Sequence, residues 1–189
     1  MSDPILDSAK AAVAAIWDKK GFEVVMLRVK EVVQYTDYVI IASATSDRHA
    51  IAVADNVEET LIRDFKDKPI GSEGRNQGRW VLLDYADFIV HVFHRPVRDY
   101  YEIERLFADA PRVPLDEPAW VQEISPEALV EQAMDYGDVV WQDLPVDDED
   151  LRDDDAELET DEESGVRSEA SRAALAAAAQ SDRGPRRPE

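Results

Sequence analysis

Residues 80–110 read WVLLDYADFIVHVFHRPVRDYYEIERLFADA. Apolar runs predict two short strands that meet at an acidic corner, Asp84 to Asp87. They lead into a basic-aromatic knuckle, Arg95 to Tyr101, after which Ile103, Leu106 and Phe107 recur at helical spacing. The first strand opens on a tryptophan and closes on an aspartate. A core strand needs neither, so the pattern predicts a sheet with one face in the core and another made to touch a partner.

With Tyr85-Ala86 as the tip of a two-residue hairpin, Leu83 pairs with Phe88, Leu82 with Ile89, Val81 with Val90 and Trp80 with His91. Alternation sends Val81, Leu83, Phe88, Val90 and Val92 to one face, which is wholly apolar and reads as core. Trp80, Leu82, Asp84, Asp87, Ile89, His91 and Phe93 share the other. A four-residue loop on the same corner keeps this assignment, and an odd loop inverts it. A helix laid over the second face would make Trp80 another core aromatic. Two aspartates and a histidine on the same surface favour contact instead, because interfaces set an aromatic anchor in a polar surround.

Working outward, Asp3-Pro4 is a helix start, an N-cap followed by proline at the first helical position. Ile5, Leu6, Ala9, Ala12, Val13, Ile16 and Trp17 then carry the helical period, and Gly21 ends it. Phe22 to Val29 reads as a strand, Glu31 to Thr36 as a polar connection, and Asp37 to Ala42 as a strand buried on both faces. Ser43 to Asp47 offers N-caps for a helix with Ala50, Ala54, Val57, Leu61 and Phe65 on its apolar stripe. Lys68-Pro69 and glycines 71, 74 and 78 predict a loop before Trp80. The order helix, strand, strand, helix, strand, strand, helix is that of a single small α/β domain, a mixed β-sheet packed with helices. A right-handed crossover from Asp37 to Asp84 would make those two strands parallel.

The charge is unevenly placed. Residues 1–110 hold 19 acidic and 14 basic side chains, net −5, and residues 111–189 hold 23 and 7, net −16, which together give the −21 of the whole chain. The expected organisation is a folded unit over 1–110, a proline-broken connector over 111–142 with a helix starting at Ser125-Pro126, and an acidic tail over 143–189. Thirteen carboxylates against one arginine between Asp143 and Glu163 predict a largely disordered tail. An acidic chain is a poor direct ligand for nucleic acid and a good one for a basic protein surface. The absence of cysteine excludes disulfides and Cys-based metal sites. The N-terminus lacks the pattern of a signal peptide and no apolar run reaches membrane-spanning length, so a soluble, cytoplasmic protein is expected.

The chain resembles the ribosomal silencing factors, the Iojap-like proteins. The matching pieces are Thr36-Asp37 before an apolar strand, IASATSDRHA, SEGRNQGRWVLLDYADFIVHVF and RDYYEIERLFADA, in family order across nearly all of residues 3–110. Two positions depart from the pattern: Ala44 and Ala86 stand where the family usually has glycine. The resemblance implies a nucleotidyltransferase-like sheet and binding to the large ribosomal subunit through its protein number fourteen. It further implies hindered joining of the small subunit and lowered translation when nutrients are scarce. On this chain it makes Trp80 the anchor, with Leu82, Asp84, Asp87, His91, Tyr100, Tyr101 and Glu102 around it. The family also implies a homodimer as an alternative use of the same face.

A nucleotidyltransferase-like enzyme is the main rival. That chemistry needs a Gly-Ser turn for a triphosphate and paired aspartates for Mg²⁺. Gly71-Ser72 has no D-x-D on a following strand, and turn chemistry accounts for Asp84 and Asp87. His49, His91 and His94 form no chelating set, so neither a metal nor another cofactor is expected. Arg95, Arg98, Tyr100 and Tyr101 could make a peripheral rRNA contact, as part of a ribosome assembly factor. The plainer reading pairs Arg98 and Arg105 with Asp99, Glu102 or Glu104 on the helix surface.

Overall fold

Asp3 starts the first helix as its sequence predicts: Oδ1 accepts from the N–H of Ile5 at 3.1 Å and of Leu6 at 3.4 Å, and Pro4 follows. The computed structural model describes residues 3–123 together with Ser125 and Ala128. In chain order the elements are α1 (Pro4–Asp18), β1 (Phe22–Arg28), β2 (Tyr38–Ala44), α2 (Asp47–Phe65), β3 (Gly71–Glu73), β4 (Trp80–Asp84), β5 (Phe88–His94), α3 (Arg95–Tyr101), a 3₁₀ segment (Ile103–Phe107) and α4 (Ala119–Glu123). Ser46 caps α2, its hydroxyl accepting from the His49 N–H at 3.2 Å.

The strands form one five-stranded sheet in the order β1-β2-β5-β4-β3. Only β2 and β5 are parallel, and the remaining pairs are antiparallel. This corrects the expected crossover. The parallel neighbour of β2 is β5, and β4 lies beyond it, antiparallel to both. Every residue of β5 is buried, as is every residue of β2, so these two take the centre of the sheet. β4 opens on a half-buried Trp80 and, like β2, lies one strand in from an edge.

β3 is a further difference. Residues 71–73, read as loop, pair with Asp84, Leu83 and Leu82. The turn from β3 to β4 depends on two glycines with positive φ, Gly74 at +76° and Gly78 at +75°. A Cβ on Gly74 would lie 1.8 Å from the Trp80 carbonyl oxygen, and one on Gly78 2.5 Å from that of Asp47. No side chain fits at either place.

The β4–β5 hairpin turns later than expected. Trp80 pairs with Phe93, Val81 with Val92, Leu82 with His91, Leu83 with Val90 and Asp84 with Ile89. The slip is two residues, so both faces keep their members. Ala86, at φ +64°, is the centre of the turn: the Asp87 N–H donates to the Tyr85 carbonyl at 2.8 Å, and the Ala86 N–H to Asp84 Oδ1 at 2.8 Å. Asp84 therefore closes the corner with its side chain.

The first face carries the main core, where α1 and α2 lay Ala12, Val13, Ile16, Val53, Val57 and Leu61 over Ile40, Val81, Leu83, Phe88, Val90 and Val92. Burying a large apolar side chain there contributes about 1.5–3 kcal/mol relative to exposure. The second face is covered in two parts. Val97, Ile103, Phe107 and Ala110 pack on Leu27, Val39, Ile41 and Phe93, whereas Leu82 and Ile89 form a small separate cluster under Tyr35.

The basic-aromatic knuckle is itself helical. α3 begins at Arg95, with Pro96 in its first turn, and stops where Glu102 takes φ +46°. Ile103 and Phe107 then pack inward from a 3₁₀ segment, and Leu106 faces solvent with 46% exposure. Nor does the chain leave the sheet at Ala110. The Arg28 N–H donates to the Pro111 carbonyl at 2.9 Å and the Val113 N–H to that of Met26 at 2.8 Å, which lays residues 111–113 along β1. Val113 and Leu115 then join the main core, and Lys20 lies over the Trp120 ring at 4.3 Å. The helix predicted to start at Ser125-Pro126 and the acidic tail over 143–189 fall outside the described residues, apart from Ser125 and Ala128.

Candidate functional site: the aromatic face at the β4–β5 ladder

At the start of β4, the alternation of the strand sets Trp80 on the second face beside Phe93 and His91 of β5. The Trp80 ring stacks on Phe93 at 4.8 Å between centroids and meets His91 at 5.8 Å and Tyr101 at 5.5 Å. Tyr100 stands edge-on to Tyr101 at 5.0 Å and is 48% exposed. The result is an aromatic plate, half-buried at Trp80 and Tyr101 and open at Tyr100. Burial pushes the Tyr101 phenol up, with Tyr100 adding to the effect, so its hydroxyl stays protonated and neutral at physiological pH.

His91 anchors the plate from below. It is 4% exposed, and its Nδ1 accepts from the Trp80 Nε1–H at 3.1 Å. Burial pulls the imidazole down to about 3, so at physiological pH it is neutral. With Nδ1 accepting, its proton sits on Nε2.

The eight residues expected at the site do not form one patch. Trp80, His91, Tyr100 and Tyr101 come together, and Glu102 is exposed at the end of α3 next to them. Leu82 lies beneath the surface in its own cluster with Ile89. Asp84 and Asp87 are at the opposite end of the hairpin, about 13 Å or more along the strand from Trp80 at ~3.4 Å per residue. Asp84 is 4% exposed and occupied with the Ala86 N–H, so it is no rim charge; Asp87 at the tip is exposed.

The arginines follow the plainer reading. Arg98 is buried, with Nη1 donating to the Glu23 carbonyl and to Ser43 Oγ at 2.8 Å each, and Nε to Glu104 Oε1 at 2.8 Å. Arg95 bonds Glu23 and Asp99, and Arg105 pairs with Glu102 at 2.9 Å. These pairs tie α3 and the 3₁₀ segment to β1 and β2, and so set the height at which Tyr101 meets Trp80. Sequence reasoning placed Arg98 on the surface. Pro96, a helix-start residue directly after the strand, was the signal that could have located α3 and its inward side. Tyr35 was also missed, an aromatic inside a polar connection that covers Leu82 and Ile89.

Residues weighed for chemistry are engaged elsewhere. Ser72 Oγ accepts from Arg75 Nε at 2.6 Å, His94 Nδ1 lies 2.7 Å from Asp47 Oδ1, and His49 Nδ1 lies 2.9 Å from Thr45 Oγ1. Among the described residues there is no cluster of His, Asp and Glu able to hold a metal ion. Among them, too, no helix is long and apolar enough to cross a membrane.

Comparison with known proteins gives a consistent answer. The family model described as "Ribosomal silencing factor during starvation", RsfS, matches residues 2–181. The ribosomal silencing factor RsfS of Bacillus subtilis is 37% identical over 111 residues, 57% of this chain and 90% of that protein. That of Halalkalibacterium halodurans is 38% identical over 106 residues, 56% of this chain and 89% of its own. A crystal structure of a Chromobacterium violaceum protein superposes with a TM-score of 0.54 at 33% identity, covering 63% of this chain and 96% of that one.

Proposed function

This chain belongs to the RsfS family of ribosomal silencing factors, and from that premise we propose that it represses translation by binding the large ribosomal subunit through the Trp80 face. The partner on the subunit is ribosomal protein number fourteen, and the bound domain obstructs the surface needed by the small subunit. The mechanism is steric occupancy in the cytoplasm under nutrient limitation, with no bond made or broken and no cofactor.

The observation that carries this reading is the aromatic plate. Trp80 is large, held by three ring neighbours and half-exposed, with Tyr100 and Glu102 at its margin. A rigid aromatic anchor inside a polar rim is the anatomy of a protein-binding hot spot. The charge agrees with it, since a folded unit of net −5 over residues 1–110 is drawn towards a basic ribosomal protein. Arg95 and Arg98 are spent on Glu23, Ser43 and Glu104, which reduces any rRNA contact to a peripheral role. An enzymatic reading would need Asp84 free, and its carboxylate closes the hairpin turn.

The test is sedimentation of the purified chain with separated subunits. Co-pelleting with the large subunit alone is expected, and equal behaviour with both subunits, or with neither, would sink the assignment. Trp80→Ala should weaken that binding by about 2 kcal/mol, roughly thirtyfold. The exposed face also suits a second copy of the chain. Sedimentation equilibrium of wild type and Trp80→Ala separates self-association from subunit binding.

A further inference from the structure

We propose that His91 is the positioning residue of this face: its Nδ1 holds the Trp80 indole N–H, so the ring meets the partner in one orientation with its polar atom already satisfied. The inference rests on the reading of Trp80 as the partner contact.

Position 91 lies in the middle of β5 between Val90 and Val92, in a strand whose every residue is buried. An aliphatic side chain would serve packing better there, because a buried imidazole needs a partner for each polar atom it hides. The Nδ1 partner is the indole, at 3.1 Å. The geometry also selects the tautomer, since only a neutral ring with its proton on Nε2 can accept at Nδ1.

Two consequences follow for recognition. A half-exposed indole N–H without an acceptor in its own protein would bond to water, and a docking apolar surface would strip that water away unreplaced. Here the bond is internal and survives docking. Phe93 behind the ring and Tyr101 beside it restrict its tilt, and the hydrogen bond removes the flipped alternative, in which the N–H points away from His91. An anchor fixed before encounter loses little rotamer freedom on binding.

The experiment uses the full chain and purified large subunits. His91→Leu removes the acceptor, and binding should weaken about tenfold while far-UV circular dichroism stays that of the wild type. His91→Asn places an oxygen where Nδ1 stood and should restore affinity to within about threefold, whereas His91→Gln reaches past it and should not. In a Trp80→Phe background, His91→Leu should change nothing. The Trp80 indole ¹H–¹⁵N resonance, identified by its loss in Trp80→Phe, should move in His91→Leu and return in His91→Asn. If Trp80→Ala weakens binding and His91→Leu does not, the positioning role is wrong and the Trp80 site stands. Equal binding by the Asn and Gln variants, or an equal loss in both Trp80 backgrounds, would also overturn it. If Trp80→Ala binds as wild type does, the site itself is misplaced and the inference falls with it. Should His91→Leu fail to fold, the Asn–Gln contrast decides alone.

Discussion

Replacing Ala86 with glycine should stabilise this chain, and the size of the gain can be worked from the turn. Ala86 has φ +64° and is spanned by the Asp87 N–H bond to the Tyr85 carbonyl, which is the hydrogen-bond pattern of the rare, strained γ-turn. An L-residue forced to positive φ carries a strain of about 1–3 kcal/mol, which glycine relieves. Against that, glycine loses more backbone freedom on folding, about 0.5–1 kcal/mol relative to alanine. Ala86 is exposed, and its methyl contributes little packing. The net expectation is a gain of about 1 kcal/mol, or roughly 4 °C in Tm for a domain of this size. Urea unfolding followed by tryptophan fluorescence should show a higher midpoint with an unchanged slope. A midpoint that stays put or falls would mean that Ala86 sits without strain, and that the Asp84 side chain accounts for the whole stability of the corner.

Other perturbations probe the layers beneath. Arg98→Leu strips five hydrogen-bond and ionic contacts from Glu23, Ser43 and Glu104. Cutting a fully buried pair costs about 3–5 kcal/mol, and because Glu23 and Glu104 keep some access to water, a loss of about 2–3 is expected in urea unfolding. A change under 1 kcal/mol would show the network to be dispensable. Stability should also fall in mild acid on account of His91. Its folded pKa lies near 3, below the unfolded value of about 6.5, so the unfolded chain takes the proton first. The stabilisation is complete above pH 6.5 and declines on acidification, by up to about 2 kcal/mol at pH 5, at 1.36 kcal/mol per pH unit. His91→Asn should flatten that slope, and an unchanged slope would show that His91 is not its source. Gly74→Ala drives a Cβ into the Trp80 carbonyl and should cost more than about 2 kcal/mol, with loss of amide-exchange protection in β3.

Much of this architecture was readable from local patterns, and the misreadings have physical causes. The helix caps at Asp3 and Ser46, the doubly buried β2 and the two faces of β4 and β5 are written in side-chain chemistry and period, which survive whatever the chain does elsewhere. The hairpin register slipped by two without disturbing those faces, because parity is insensitive to an even shift. Neighbour order in the sheet is not local. The preference of β5 for the centre depends on competition among all the strands, and the wrong parallel partner for β2 followed from judging one crossover alone. At the site, Trp80 and His91 shared a predicted face, but their hydrogen bond required the true register, which sets His91 opposite Leu82 and diagonal to Trp80. Asp84 carried two readings, turn chemistry and a charge beside Trp80, and its bond to the Ala86 N–H bears out the first. That it turns inward to the Ala86 N–H depends on a backbone conformation the sequence does not advertise.

The short run from Pro111 to Val113 has a consequence for how this molecule can meet its neighbours. By bonding to Arg28 and Met26 it occupies the C-terminal end of the outward row of β1, the longer of the two terminal strands of the sheet, and an irregularity between Phe22 and Val25 interrupts the rest. An unoccupied row there would be a template for strand addition, the usual route to domain-swapped pairs and fibrils. At the other margin, β3 is three residues long and bounded by Gly71 and Gly74, a poor ladder for an incoming chain. A sheet stoppered in this way leaves associating molecules to meet through side chains on its broad surface. Contacts made by side chains are selective, and they come apart without unzipping a backbone.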